Sequence, residues 1–278
     1  MPRFILAVVT SAMVSVFMRL SGRHVRNNIT MLSFNYLMCT VLAALSTQTA
    51  DLLPQAQGAG FTLGLGLLNG LFYLGGFVML QWNIKRNGVV LPATFMKLGV
   101  LVPTLMAITV FGEQPTLAQL AGIAAALLAI VLIQFEKGHG KAANAAGLVV
   151  LLFTGGMADG MSKVYEVLGQ PALENHFLMY TFFSALVLCT LLALFKKQSV
   201  SWKDVGFGLL IGIPNYFTSL FLLKSLAFIP AIVAYPAYSV GTIVLVTLAG
   251  WALFREKLSR RQIAALVIIL GALVLLNL

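Results

Sequence analysis

Apolar runs of about 18–25 residues, separated by short polar, glycine- or proline-bearing stretches, recur along the entire chain. They predict ten helices, over residues 3–19, 30–48, 60–81, 88–111, 116–135, 145–163, 174–195, 204–226, 229–254 and 259–277. Helices of that length cross a hydrocarbon core about 30 Å thick. In lipid every backbone polar group must be bonded within the structure, which leaves helices or closed barrels. These runs are too long and too uniformly apolar for barrel strands. The expected fold is therefore an all-α integral membrane protein with ten transmembrane helices. The first run follows only Met1-Pro2-Arg3 and has no small-residue cleavage site after it, so it reads as a retained helix and not a leader.

The pattern says nearly the same thing twice. Gly64-x-Gly66-Leu67-Leu68-x-Gly70 returns as Gly206-x-Gly208-Leu209-Leu210-x-Gly212, Gly99 matches Gly241, and Glu113, Gln119 and Ala121 match Glu256, Gln262 and Ala264. Cys39-Thr40 and Cys189-Thr190 sit in similar apolar runs, and Arg19 falls opposite Lys163. The polar stretch Glu136–Asn144 divides the halves, giving repeats over residues 1–138 and 145–278. Each holds five predicted helices. An odd number inverts the second repeat in the membrane relative to the first, an arrangement that many transporters build around a central pathway.

Composition agrees: 60% of residues are hydrophobic and 9% charged, where soluble domains carry about 25% charged residues. The net charge of +10 is spread over short loops and not clustered with aromatics, so no nucleic-acid partner is expected. About 14 of the 18 Lys/Arg fall on the face that holds loops 1–2, 3–4, 5–6, 7–8 and 9–10, among them Arg23, Arg26, Lys85, Arg86, Lys196, Lys197, Arg255, Lys257, Arg260 and Arg261. Only Arg3, Lys163 and Lys224 lie on the other face. That bias places the first face in the cytoplasm and both termini outside.

Thr116-x-x-Gln119 and Ser259-x-x-Gln262 have capping-box form at the starts of the fifth and tenth helices. Glu113 and Glu256, just upstream, are positioned to stabilise those same N-termini through the helix dipole, or to serve in proton coupling or gating. The chain here resembles the drug/metabolite transporter superfamily, in its ten-helix EamA-type branch. The residues that carry the likeness are the five-plus-five repeat and the endings Phe111-Gly112-Glu113-Gln114-Pro115-Thr116 and Phe254-Arg255-Glu256-Lys257-Leu258-Ser259. Small-residue helices follow each, Gly122-Ile123-Ala124-Ala125-Ala126 and Gln262-Ile263-Ala264-Ala265-Leu266. The resemblance covers the whole chain. It implies a central cavity lined by helices 3, 4, 8 and 9, with helices 5 and 10 behind, and alternating access by rocking bundles. Many members keep both termini in the cytoplasm, and the loop charges here depart from that.

Lys97 is the sharpest chemical signal. It lies midway along the fourth run, where a charge facing lipid costs about 3 kcal/mol or more. It must face a polar cavity, as counter-ion to a substrate carboxylate or phosphate or as a group that changes protonation, or else join a structural ion pair. Its counterpart in the ninth helix is Ser239, beside Tyr235 and Tyr238, so the expected site is asymmetric. Asn69, Tyr73, Asn215 and Tyr216 would add hydrogen bonds and aromatic walls. Asp159 and Lys163, four residues apart, suit an intrahelical pair; Asp159 can instead bind a cation or meet Lys97. Pro92 and Pro103 in the fourth helix, and Pro230 and Pro236 in the ninth, mark helix breaks or packing kinks. Gly66-x-x-x-Gly70 and Gly208-x-x-x-Gly212 allow close helix approach. Trp82 reads as an interfacial anchor, and His176, near a helix end, carries little.

There is no His-Glu-x-x-His, Gly-x-Ser-x-Gly, Walker loop or metal-spaced Cys/His set, so neither enzyme activity nor a cofactor or metal is expected. Without a nucleotide site, transport would be secondary. The expected function is export of a small polar metabolite, such as an amino acid or another carboxylate, across a bacterial inner membrane by alternating access. Its partners would be that substrate, the bilayer and a coupling proton or ion. A multidrug or cation exporter is the alternative, although the first helix offers Thr10, Ser11 and Ser15 but no acid; a non-transporting scaffold is the other.

Overall fold

A computed structural model of the chain describes residues 2–22, 24–47, 51–87, 90–134, 144–254 and 260–278. Among the described residues the regular structure is helical throughout: α1 Pro2–Ser21, α2 Asn28–Leu45, α3 Ala59–Asn87, α4 Val90–Leu98, α5 Leu101–Thr109, α6 Leu117–Gln134, α7 Ala145–Leu168, α8 Glu174–Phe195, α9 Trp202–Leu226, α10 Ala231–Phe254 and α11 Arg260–Leu276, with a short 3-10 turn at Pro171–Leu173. Eight spans are long and apolar enough to cross a bilayer, α4 and α5 counting together as one, and two shorter apolar helices, Leu117–Leu132 and Gln262–Leu276, complete ten. Five fall in each half of the sequence, so the second half crosses in the opposite sense. The chain is a multi-pass membrane protein.

The predicted segments lie within a few residues of the observed helices, with three differences. The third helix runs on to Asn87, the sixth predicted helix, α7, runs on to Leu168, and the fourth breaks into α4 and α5. The break has a chemical cause. Pro103 has no N–H to give the Gly99 carbonyl four residues back; Val102 N–H takes that carbonyl instead, at 2.9 Å, and Gly99 N–H bonds Met96 at 3.2 Å. The chain tightens there for one turn and resumes as α5.

The helices form two compact units, residues 1–74 with 164–224 and residues 75–163 with 225–278, whose boundaries fall inside α3, α7 and α9. In the first unit α2 lies along α8. Glycines set how closely its helices approach. A Cβ on Gly66 would sit 2.7 Å from Tyr180 Cβ, and one on Gly70 2.5 Å from Ser184 Cβ, so α3 is pressed against α8. Gly208 and Gly212 do the same for α9 on α2, a Cβ at Gly212 meeting Met38 Cβ at 2.5 Å. The cysteine thiols donate to main-chain carbonyls in equivalent fashion, Cys39 to Gly212 at 3.3 Å and Cys189 to Ile29 at 3.4 Å.

In the second unit α6 lies along α11, and α10 packs on α5, α6 and α11. Gly122 of α6 abuts Ala272 and Leu276 of α11. The outer face of α11 carries Ile263, Val267, Leu270 and Val274, all exposed, while Ala265, Ile269 and Ala272 are buried. Large apolar residues outside and small ones inside suit a helix whose outer solvent is lipid. The start of α6 is closed by the predicted capping box: Thr116 N–H donates to Gln119 Oε1 at 3.0 Å, and Gln119 N–H to Thr116 Oγ1 at 3.1 Å. Ser259, its expected counterpart, lies outside the described residues.

Candidate functional site

The residues singled out from sequence divide between the units. Lys97, Asp159, Lys163, Tyr235, Tyr238, Ser239 and the prolines 92, 103, 230 and 236 belong to the second; Asn69, Tyr73, Asn215 and Tyr216 belong to the first.

In the second unit, α4 and α5 run along a glycine stripe on α7. A Cβ on Gly99 would lie 3.1 Å from Gly156 N and 3.2 Å from Leu152 O, while Gly156 faces Val102 and Gly160 faces Met106. This contact brings the end of α4, where Lys97 is the penultimate residue, beside α7. Lys97, two residues before Gly99, and Asp159, between Gly156 and Gly160, flank this contact. Both are half-buried among otherwise apolar helices. Tyr235 of α10 is buried and donates its hydroxyl hydrogen to the main-chain carbonyl of Asp159 at 2.8 Å. One turn further along α10, Tyr238 is half-buried and Ser239 buried; Thr242, on the same face, has a buried hydroxyl oxygen without a hydrogen-bond partner among the described residues.

Lys163, one turn along α7 from Asp159, meets Glu113. Its Nζ stands 3.0 Å from Glu113 Oε1 and 5.8 Å above the Phe111 ring. The same carboxylate accepts Ala231 N–H on Oε1 and Ile232 N–H on Oε2, both at 3.0 Å. The sequence pointed Glu113 at the nearby start of α6; the structure sends it to the start of α10. Gly112, at φ +69°, turns the loop that aims it. The reason is chemical: α6 already satisfies its first amides with Thr116 and Gln119, whereas α10 opens behind Pro230 with no capping side chain of its own. Glu256, the matching residue, lies outside the described residues.

The four prolines occupy different places. Pro92 is the third residue of α4 and Pro103 the third of α5, where the missing N–H is not needed by the helix it begins. Pro230 immediately precedes α10, and Pro236 sits inside it. A further interior proline, Pro214 of α9, escaped the sequence reading. Asn215, beside it, donates from Nδ2 to Asn35 Oδ1 of α2 at 3.2 Å.

In the first unit an aromatic cluster surrounds Tyr73. Its ring meets Tyr36 edge-on at 6.2 Å and Phe182 at 5.8 Å, and Phe182 in turn meets Tyr216 at 6.5 Å. The Tyr73 hydroxyl pairs with Ser219 Oγ at 3.3 Å. Asn69, one turn before Tyr73, is 1% exposed, and its Oδ1 has no hydrogen-bond partner among the described residues. Buried acceptors left open in this way are uncommon. Asn35, Tyr36, Phe182 and Ser219 were not foreseen. They lie in apolar runs with no periodic signal to separate them from residues facing lipid.

Trp82 stacks under the Arg86 guanidinium, 4.1 Å from its centroid. His176 is buried, with Nε2 3.2 Å from the Asp51 carbonyl oxygen.

Comparison with known proteins decides what this arrangement belongs to. The profile of the EamA-like transporter family matches residues 3–135 and again 145–278. The chain belongs to the EamA-like transporter family. It is a membrane transporter built on that family's two-repeat plan, a member of the drug/metabolite transporter superfamily. An uncharacterized protein of Haemophilus influenzae is 24% identical to the transporter over 288 residues, covering 98% of this chain and 96% of that one. A protein of known crystal structure superposes with a TM-score of 0.74 at 17% identity, covering 98% of this chain and 94% of its own; at that identity the likeness concerns the fold alone.

Proposed function

We propose that this transporter is a secondary exporter of a small polar metabolite bearing a carboxylate, an amino acid or another organic acid, working by alternating access with Lys97 as the anchor for the acid group. The observation that supports it is the setting of Lys97: a half-buried lysine inside an apolar span, on a helix held close to α7 by glycine, where Asp159 is also half-buried and Tyr235 bonds its main-chain carbonyl. A half-buried lysine inside an apolar span is costly unless it meets a polar or charged partner, and a substrate carboxylate would supply one. Tyr238 and Ser239, next along α10, supply polar contacts beyond the anchor. In the first unit, Asn69, Tyr73, Asn215 and Tyr216 offer a polar and aromatic surface that suits an organic substrate.

The loop charges support an orientation with both termini outside, in what we read as a bacterial plasma membrane. Residues 1–138 and 145–278 serve as the two inverted repeats. No enzymatic step, cofactor, metal or nucleic acid enters this reading.

Reconstitution tests it. In proteoliposomes a panel of monocarboxylates and zwitterionic amino acids should include compounds that the wild type carries and Lys97→Ala carries at least about tenfold more slowly, the loss of one charged contact in a buried site. Equal flux through both proteins for every transported compound would remove Lys97 from the site. No flux at all would point to a scaffold.

A further inference from the structure

We propose that one end of the first unit is a binding surface for the headgroups of anionic phospholipids. It is made by the loop between α1 and α2, at residues 24–27, and by the loop between α8 and α9, at residues 196–201, with the first turn of α9.

Hydrogen bonds stitch the two loops together. Asn27 donates from Nδ2 to the Ser199 carbonyl oxygen at 2.6 Å and to its hydroxyl oxygen at 3.2 Å. Asp204, in the first turn of α9, accepts Arg26 N–H on Oδ1 at 2.8 Å and Ser201 N–H on Oδ2 at 3.3 Å. Both of its oxygens are thus engaged by main-chain amides, and its side chain is buried. Among the described residues it is the one carboxylate at this end of the unit. Asp51, Glu166 and Glu174 lie at the other end, where α7 finishes and α8 begins. Arg26, Lys196, Lys197 and Lys203 are all exposed. The one acid is spent inside, and the surface presents cations.

The apolar neighbours set its depth in the membrane. Phe195, the last residue of α8, is 84% exposed, and Trp202, the first of α9, is 90% exposed. Aromatic residues at the ends of spanning helices sit where acyl chains give way to headgroups. Lys196 and Lys203 adjoin them in sequence, and their long side chains reach the layer of lipid phosphates. Cations gathered without an exposed carboxylate repel one another. A headgroup of net negative charge relieves that repulsion, whereas a zwitterionic one brings its own cation.

Lys197 adds an independent observation. The end of α8 is a Schellman turn, with Lys197 N–H on the Leu194 carbonyl at 2.9 Å and Gln198 N–H on the Ala193 carbonyl at 3.0 Å. Lys197 holds the left-handed position of that turn, at φ +48°. Glycine is the usual residue there, because any Cβ is disfavoured. The chain keeps a charged side chain where its backbone favours none.

The full chain in phosphatidylcholine vesicles tests the surface, with Trp202 as reporter in a Trp82→Phe, Trp251→Phe background. Brominated phosphatidylglycerol should quench Trp202 more than the same fraction of brominated phosphatidylcholine, and added salt should narrow the difference. Arg26→Ala, Lys196→Ala and Lys203→Ala should each lower the preference about fivefold, the effect of one charge at an anionic surface. Lys85→Ala and Arg260→Ala, which remove exposed charges from helix ends of the second unit, should leave it unchanged. Lys197→Gly should lower the preference by the same factor while raising the unfolding temperature in neutral detergent; Lys197→Arg should keep the preference. Equal quenching by the two lipids would overturn the proposal. So would equal losses from Lys85→Ala and Arg260→Ala, since net charge alone would then explain the attraction. Loss of the preference to soluble glycerol phosphate would also overturn it, leaving a phosphate site and not a lipid surface.

Discussion

Glu113 and Lys163 stand 3.0 Å apart, and the Glu113 carboxylate also receives the first two amides of α10. One side chain from the loop after α5 thus neutralises a buried lysine on α7 and closes a helix in the other half of the sequence. Breaking such a pair from one side leaves a charge without its partner. Glu113→Gln and Lys163→Met should each cost about 3–5 kcal/mol. The double variant should cost less than the sum by at least about 1 kcal/mol. Thermal or denaturant unfolding of the purified protein in detergent measures all three, and additive losses would mean that the two residues act separately.

The glycines differ sharply in the room around them. A methyl group at Gly70 meets Ser184 and the Thr181 carbonyl, whereas one at Gly64 meets nothing within 4 Å. Gly70→Ala should therefore destabilise by about 1–3 kcal/mol through overpacking. Gly64→Ala should be neutral or stabilise by up to about 1 kcal/mol through helix propensity. Unfolding midpoints in one detergent compare them; equal effects would contradict the close packing of α3 on α8.

Asn69 separates stability from use. Its buried Oδ1 lacks a partner, so Asn69→Leu removes an unsatisfied acceptor and should raise stability, by about 1 kcal/mol. If that oxygen serves the cargo, the same variant should transport more slowly. A variant that is both less stable and fully active would contradict both expectations.

Orientation is open to labelling because both native cysteines are buried. Leu117 is 86% exposed at the start of α6, and Val200 is 66% exposed between α8 and α9. A membrane-impermeant maleimide added to intact cells should label Leu117→Cys and spare Val200→Cys. The reverse pattern would place the termini in the cytoplasm.

The spans were legible because lipid imposes a demand that sequence alone displays: a long apolar run has few other uses. The repeat was legible because glycines and caps must recur wherever the packing recurs, and Thr116 with Gln119 closes α6 as read. What the sequence concealed depends on partners distant along the chain. Glu113 lies three residues before Thr116, so proximity tied it to α6, but α10 was the helix in need of a cap. The division of the fourth span hangs on the Gly99 carbonyl losing the donor it would have had at Pro103. Tyr36 and Phe182 look like any aromatic in an apolar run until Tyr73 is seen between them. The four-residue spacing of Asp159 and Lys163 suggested that they face each other, while the fold gives Lys163 to Glu113.

The helices that lie along one another in the two units, α2 with α8 and α6 with α11, are counterparts in the two repeats. Each thus rests on its own inverted relative. A gene for five helices would encode every surface needed, provided its product entered the membrane both ways up and met itself. Joining two copies puts both orientations on one chain. It fixes the ratio of the two orientations at one to one, and it leaves each copy free to lose what the other keeps, as Ser239 stands where the first half has Lys97.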